Sequence, residues 1–269
     1  MDAPTSRCIT RLIAWAAWCS MSSVKAGVSV IRTANGEEAV LKTGGDMKSE
    51  IDALRLYCGG AAVRVLDYDA DRGFLVLERL QPGEPLTSLR NDEMETRIAA
   101  QTMRELWRPL PSSHSFATSG DWADGMKALR NRFQGGTGPF PQRLVETAET
   151  LFAELLSSSE PSVLLHGDLH HFNILSAQRR PWVAIDPKGL AGERAYDVGA
   201  LLRNPDPTLC TNVEVQRRRI AVLREELQFD PQRMVGWGVA QAVLSAWWSF
   251  EDGEEWESAC ACAETLAKL

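Results

Sequence analysis

Residues Val163 to Pro187 read VLLHGDLHHFNILSAQRRPWVAIDP, and the rest of the chain is organised around them. Three of the four histidines lie here, with two aspartates and an asparagine set between short apolar runs that read as strands. Polar groups at strand ends sit in loops, where a rigid scaffold can hold reactive side chains. Asp168 and Asn173 share one turn and can face one site, and Asp186 ends the following strand.

The chain has 269 residues, a hydrophobic content of 44% and a charged content of 24%, which is the composition of an ordinary globular protein with a sizeable core. A formal net charge of −7 argues against a nucleic-acid partner and suits a cationic small substrate. Cys8, Cys19, Cys58, Cys210, Cys260 and Cys262 are scattered without a C-x-x-C pair, so they read as reduced thiols in the cytoplasm. Cys260-Ala-Cys262 alone makes a poor metal or redox site. The apolar run Ile9 to Trp18 is too short to span a bilayer and reads as a buried N-terminal element or a leader. A cytoplasmic monomer with no membrane partner is expected.

Upstream of the central stretch, Gly27 to Lys42 reads as a β-hairpin around Asn35-Gly36, with Lys42 at the end of its second strand. Asp46 is placed to cap a helix from Met47 to about Cys58, stopped by Gly59-Gly60 and carrying Glu50 one turn in. A lysine ending a strand and a glutamate on the next helix can form an ion pair that holds the lysine against a phosphate. Strands at Ala62–Tyr68 and Gly73–Glu78 follow, and Gln81 to Pro85 breaks the pattern. Residues 1–80 therefore read as a lobe with a small antiparallel sheet and one helix, and residues 81–269 as a second lobe.

In that second lobe the period becomes helical. A helix from Asn91 or Asp92 to Trp107 is expected to line up Met94, Ile98, Thr102 and Leu106, and another spans Leu144 to Leu156. Pro109 to Gly138 reads as less regular. Beyond Asn204-Pro-Asp-Pro207 come a basic helix at Gln216–Leu227, a core helix capped by Asp230-Pro231, an acidic loop at Glu251–Glu255 and a last helix to Leu269.

Phosphoryl transfer needs few protein groups: an aspartate to orient the attacking hydroxyl and accept its proton, and oxygen ligands for magnesium on the nucleotide phosphates. Asp168, Asn173 and Asp186 can supply them. H-G-D-x-x-x-x-N followed by I-D-P resembles the catalytic and metal-binding loops of the aminoglycoside phosphotransferase and choline kinase-like group. HGDLHHFNIL, WVAIDPKGLAGERAYD, the later RNP and SAWWSFEDG narrow the resemblance to the streptomycin 6-phosphotransferases, the aminoglycoside and hydroxyurea resistance kinases, over most of residues 27 to 269.

That resemblance implies an α+β, bilobal protein-kinase-like fold, with a small N-terminal antiparallel sheet carrying one helix and a larger, mainly helical C-terminal lobe. It implies ATP and magnesium as cofactors, Asp168 as catalytic base, Asn173 and Asp186 as magnesium ligands, and Lys42 on the phosphates with Glu50 as its partner. Glu78, Arg79 and Leu80 become the linker whose backbone binds adenine. His166 reads as structural, bracing the loop through a hydrogen bond. For a guanidinium-bearing drug such as streptomycin, Glu193, Asp197, Glu251, Asp252 and Glu254 are the candidate carboxylates, and Asp197 reads equally as a helix brace.

One departure stands out: the first 25 residues do not match the family's start. No G-x-G-x-x-G is present, and Ser22 to Gly27 is the nearest candidate for a phosphate loop. Three other readings stay open. The chain could phosphorylate another small alcohol or hydroxyurea, or bind nucleotide without turnover. A metal-dependent phosphoesterase shares the Gly-Asp-x-His and His-His vocabulary, but only His114 is left to complete its site.

Overall fold

Alternating apolar and polar residues after Gly27 build the first sheet. A computed structural model of the chain describes residues 27–269; the element expected at Ile9–Trp18 and all of the Ser22–Gly27 candidate except Gly27 lie outside the described residues. Strands β1 (Gly27–Arg32), β2 (Glu38–Thr43), β3 (Val65–Asp69) and β4 (Phe74–Glu78) pair antiparallel in the order β1-β2-β4-β3. The first hairpin turns at Asn35-Gly36. Its loop is closed by Thr33 N–H to Glu37 O and Gly36 N–H to Thr33 O, both at 2.9 Å, with Gly36 in the left-handed conformation (φ 83°) that Asn-Gly turns require.

Helix α1 (Lys48–Tyr57) follows β2. Asp46 Oδ1 accepts from the Lys48 N–H at 2.9 Å, satisfying one of the unpaired donors at a helix start. Cys58, itself left-handed, ends the helix ahead of Gly59-Gly60. Ile51, Ala53, Leu54 and Tyr57 are buried, and each fully buried Ile or Leu contributes ~1.5–3 kcal/mol.

Strand β5 (Pro82–Pro85) leaves that sheet and pairs with β9 (Ile174–Ala177), which also pairs with β10 (Trp182–Ala184). A third small sheet has the order β6-β8-β11-β7, from Arg108–Pro109, Val163–Leu165, Leu190–Gly192 and Ala117–Thr118 respectively. Around these strands pack α2 (Asp92–Leu106), α3 (Ser119–Arg132), α4 (Gln142–Ser157), α5 (Val198–Leu202), α6 (Pro207–Cys210), α7 (Val213–Leu227), α8 (Pro231–Asp252) and α9 (Glu257–Leu266). Among the described residues no helix is long and apolar enough to cross a membrane.

Two expectations are corrected here. On α2 the expected row is buried at Thr102 and Leu106 and half-buried at Ile98, but Met94 points outward and is 52% exposed, and the buried face also takes in Glu95, Thr96, Ala99, Ala100 and Met103. The small alanines allow closer packing than the row through Met94 would. Within the stretch expected to be irregular, α3 forms behind a capping box in which Thr118 and Asp121 satisfy each other's backbone N–H groups at 2.7 and 3.0 Å. Its Gly125 lies flush against α8, where a Cβ would come within 2.5 Å of Leu244 Cδ1.

Helix α8 starts as expected at Asp230-Pro231 and buries Val235, Val239, Val243, Leu244 and Trp247. Trp247 joins Phe133, Phe140, Phe250 and Trp256 in a cluster of mostly edge-on rings. Polar bonds join the first sheet's region to the rest of the molecule. Val63 N–H donates to Ala184 O at 2.8 Å and Ala184 N–H to Ala61 O at 2.7 Å. Arg179 donates to Gly60 O and Ala62 O, both at 2.7 Å, and its Nε to Glu78 Oε1 at 2.9 Å.

Candidate functional site

The β2 strand, the β4–β5 linker and the β9 region enclose a cleft of about 520 Å³ whose lining includes Val40, Lys42, Leu77, Leu80, Asn173 and Asp186. Lys42 projects from the end of β2, and its Nζ donates to Glu50 Oε1 of α1 at 2.6 Å and to Asp186 Oδ1 at 2.5 Å. Burial alone would lower the Lys42 pKa, but the bonds from Asp186 and Glu50 outweigh it and raise it. Glu50 is pushed up by burial, against the pull of Lys42.

Asp186 follows β10 in the left-handed region, at φ 58°, which Asp tolerates better than most residues. Its second oxygen accepts from Lys188 Nζ at 2.9 Å. Burial would raise its pKa, yet Lys42 and Lys188 together hold it below the ordinary carboxylate range. The turn carrying it is pinned to α1, where Ser49 Oγ donates to Gly189 O at 3.0 Å.

Glu78, Arg79 and Leu80 line the same cleft. The Glu78 carboxylate is engaged by Arg179 and by the Arg64 N–H at 2.9 Å, and Arg79 by Glu38 at 2.6 Å. The linker therefore offers the cleft its backbone and the Leu80 side chain.

The loop after β8, which reaches the cleft at Asn173, carries Asp168. Its Oδ1 accepts from Arg203 Nη2 at 2.7 Å, and His170 Nε2 lies 3.7 Å from Oδ2. Burial opposes its charge, but His170 and Arg203 prevail and hold the carboxyl well below its usual range. Asn173 Nδ2 donates to Asp168 O at 2.9 Å, which leaves the amide oxygen to the cleft that Asn173 lines.

The loop's backbone is braced from beneath. His166, fully buried, bonds Ile185 O through Nε2 at 2.9 Å and accepts the Asp168 N–H at Nδ1 at 3.3 Å. Burial drives its pKa down to about 4, so the ring is neutral. His171 is buried between α2 and this loop, and burial takes it to about 3. Neither ring is placed as a metal ligand: among the described residues no cluster of three His, Cys, Asp or Glu is arranged to hold a metal ion. Cys58, Cys210, Cys260 and Cys262 are free thiols.

The structure reassigns the expected drug-binding carboxylates. Asp197 is 1% exposed; its oxygens accept from Trp107 Nε1 (3.0 Å), His166 N–H (3.2 Å) and Gly167 N–H (2.9 Å). Burial pushes its pKa up to about 6, and all its visible work is holding the Asp168 loop. Glu193, also 1% exposed, is bound at both oxygens by Arg233 at 2.7 Å, by Trp237 Nε1 and by the Glu160 N–H at 3.0 Å. Neither has an oxygen to offer a solute.

Glu193→Ala should destabilise the fold by about 3 kcal/mol, the lower end for breaking a buried ion pair, because it leaves the buried Trp237 N–H without an acceptor and the half-buried Arg233 guanidinium with only Leu155 and Ser158. Urea unfolding measures this, and a loss under about 1 kcal/mol would show that the pair carries little. Glu251, Asp252 and Glu254 are exposed around the end of α8. A small hollow of about 210 Å³ beside Arg203 is lined instead by Glu255, Asp206, Ser245 and Ser249.

The sequence profile described as aminoglycoside/hydroxyurea antibiotic resistance kinase matches residues 19–253. The chain belongs to this family. Among members of the aminoglycoside/hydroxyurea resistance kinases, it is 33% identical over 232 residues to a streptomycin 6-kinase from Streptomyces glaucescens, covering 83% of this chain and 74% of that one. It is 31% identical over 250 residues to a hydroxyurea phosphotransferase from Kitasatospora aureofaciens, covering 87% and 69%.

The family's fold is that of the kinases. A crystal structure of aminoglycoside phosphotransferase APH(4)-Ia with ADP and hygromycin B superposes with a TM-score of 0.64 at 15% identity, over 98% of this chain and 97% of that one. Choline kinase LicA from Streptococcus pneumoniae gives 0.65 at 14% identity, over 97% and 99%. The α+β, protein-kinase-like architecture is thus the fold of this chain.

Arg203 and Lys188 are the residues that sequence reasoning left without a role. Both stand inside family motifs, RNP and IDPK, but pairing of Arg203 with Asp168 across 35 positions has no signature in spacing.

Proposed function

We propose that this chain is an ATP- and magnesium-dependent O-phosphotransferase that inactivates an aminoglycoside, foremost streptomycin at its 6-hydroxyl. The observation that carries the reading is the Lys42–Glu50–Asp186 cluster at a cleft lined by Lys42, Asp186 and Asn173, with Asn173 bonded to the backbone of Asp168. Residues 1–80 then serve as the nucleotide lobe and residues 81–269 as the lobe that carries the base and the substrate, in the cytoplasm where ATP is supplied.

The donor set fits magnesium. Asn173 and Asp186 offer hard oxygens, and Asp186 already gathers two ammonium groups. Two protein ligands suit an ion that keeps waters and takes phosphates for its remaining positions. Bound with the nucleotide, magnesium neutralises charge on the transferring group.

The chain's own residues do the rest. Lys42 holds the α- and β-phosphates, Glu50 fixes its direction, and the backbone of Glu78 to Leu80 takes adenine. Asp168 accepts a hydrogen bond from the substrate hydroxyl and takes its proton as the new O–P bond forms and the γ-phosphoryl leaves ADP. With so low a pKa it acts first by orienting the hydroxyl and receives the proton late. Glu255 and Asp206 meet the drug's guanidinium groups, and the added phosphate spoils a cation that binds by charge complementarity.

Purified chain should convert streptomycin and MgATP to phosphostreptomycin and ADP, followed by mass spectrometry and fragmentation. Transfer to hydroxyurea but not to streptomycin would move the assignment to the second substrate of the family. ADP release with neither would overturn both.

A further inference from the structure

Helix α5 is a single short turn whose terminal carbonyls need partners. They find them in α7. Arg219, with no exposed surface, donates through Nη1 to Asn204 O at 2.6 Å, Leu201 O at 3.3 Å and Leu202 O at 3.4 Å. Gln216, one turn earlier, donates to Leu202 O at 2.7 Å and Cys210 O at 2.9 Å. The remaining guanidinium nitrogens of Arg219 lock onto Asp92 Oδ1 at the start of α2, at 2.9 and 2.6 Å, while Arg218 takes Asp92 Oδ2 at 3.0 Å.

The residue bracketed by these carbonyls is Arg203, whose guanidinium lies 2.7 Å from Asp168. A buried ion pair is weak evidence for stability, so the informative part is where its hydrogen bonds end. They end on both sides of one side chain. A long, flexible arginine can hold a carboxylate in a fixed direction only if its own backbone is fixed.

We propose that Asp92 and Arg219 are positioning residues for phosphoryl transfer: Arg219, locked by Asp92, fixes the Leu201–Asn204 turn so that Arg203 holds the Asp168 carboxylate in line. This rests on the reading of Asp168 as the base.

The test is a mutant cycle in the full chain, assayed with MgATP and whichever of streptomycin and hydroxyurea is phosphorylated. Arg219→Met should lower kcat on the order of a hundredfold, the cost of misplacing a catalytic group by about 1 Å, with the KM for ATP unchanged. Asp92→Asn, which keeps its shape, should do the same to a smaller degree. Arg203→Met combined with Arg219→Met should be no slower than Arg203→Met alone, because both remove one interaction.

Losses that multiply in the double variant would overturn the proposal, as would a rise in both KM values at unchanged kcat. If Arg219→Met does not fold, as judged by its thermal transition, the cycle is run with Asp92→Asn in its place. Full turnover in Asp168→Ala would instead overturn the underlying reading, and a chain that phosphorylates neither compound would remove both.

Discussion

Asp168→Ala is expected to lower kcat by about 10³–10⁴-fold, the upper range for loss of a positioned general base, while ADP affinity stays close to that of the unaltered chain. The separation follows from the geometry. Asp168 contacts Arg203 and His170, whereas the side of the cleft proposed to take nucleotide is built around Lys42, Glu50 and Asp186. Removing the carboxylate therefore leaves the lysine cluster intact but frees Arg203, whose charge then lies where the substrate hydroxyl should be oriented. Steady-state kinetics with streptomycin and calorimetry with ADP check the two halves, and turnover within about tenfold of the unaltered chain would take Asp168 out of the role.

The second large effect is expected from Asp186→Ala, which should reduce kcat/KM at least about a thousandfold, a loss of several kcal/mol. The carboxylate serves three purposes in one place. In the proposed reaction it is a hard oxygen donor for the cation that accompanies the nucleotide, and in the structure it holds Lys42 at 2.5 Å and neutralises Lys188 at 2.9 Å. Without it, Lys42 keeps only Glu50 and two ammonium groups face each other across the gap. ADP affinity measured with magnesium and then with a chelator should differ in the unaltered chain and converge in the variant. A variant that keeps the difference would place the cation elsewhere.

How much of this was legible in the sequence depended on range. Contacts between near neighbours could be read. Asn35-Gly36 announced the first hairpin, Asp46 and Gly59-Gly60 bracketed α1, Asp230-Pro231 started α8, and the short strand ahead of Asp186 followed from an apolar run between polar loops. The Lys42–Glu50 pair spans only eight positions and was visible as a strand end facing the next helix.

Burial decided by distant partners was not legible. Glu193 read as a candidate drug-binding carboxylate because nothing nearby reveals Arg233, 40 positions away, or the Trp237 indole. Asp197 could be given no single role until Trp107 and the backbone at His166–Gly167 came round to meet it. Helix α3 escaped because Gly120, Gly125 and its charged residues blur the helical period, and Gly125 makes sense only once Leu244 lies against it. In the acidic run around the end of α8, the turn at Gly253 leaves Glu255, rather than Glu251 or Asp252, beside Arg203.

Arg179 has a mechanical consequence. With its guanidinium bonded to Gly60 O, Ala62 O and the Glu78 carboxylate, and Ala61 and Val63 laced to Ala184 beside it, the linker side of the cleft behaves as a riveted seam. Two further ties, Lys42 to Asp186 and Ser49 to Gly189 O, join β2 and α1 to the turn that carries Asp186, so the walls are fastened at the lysine as well as at the linker. An adenine taken by the linker backbone, as proposed, would sit against the seam, whereas phosphates entering between Lys42 and Asp186 would have to displace the bond that now joins them.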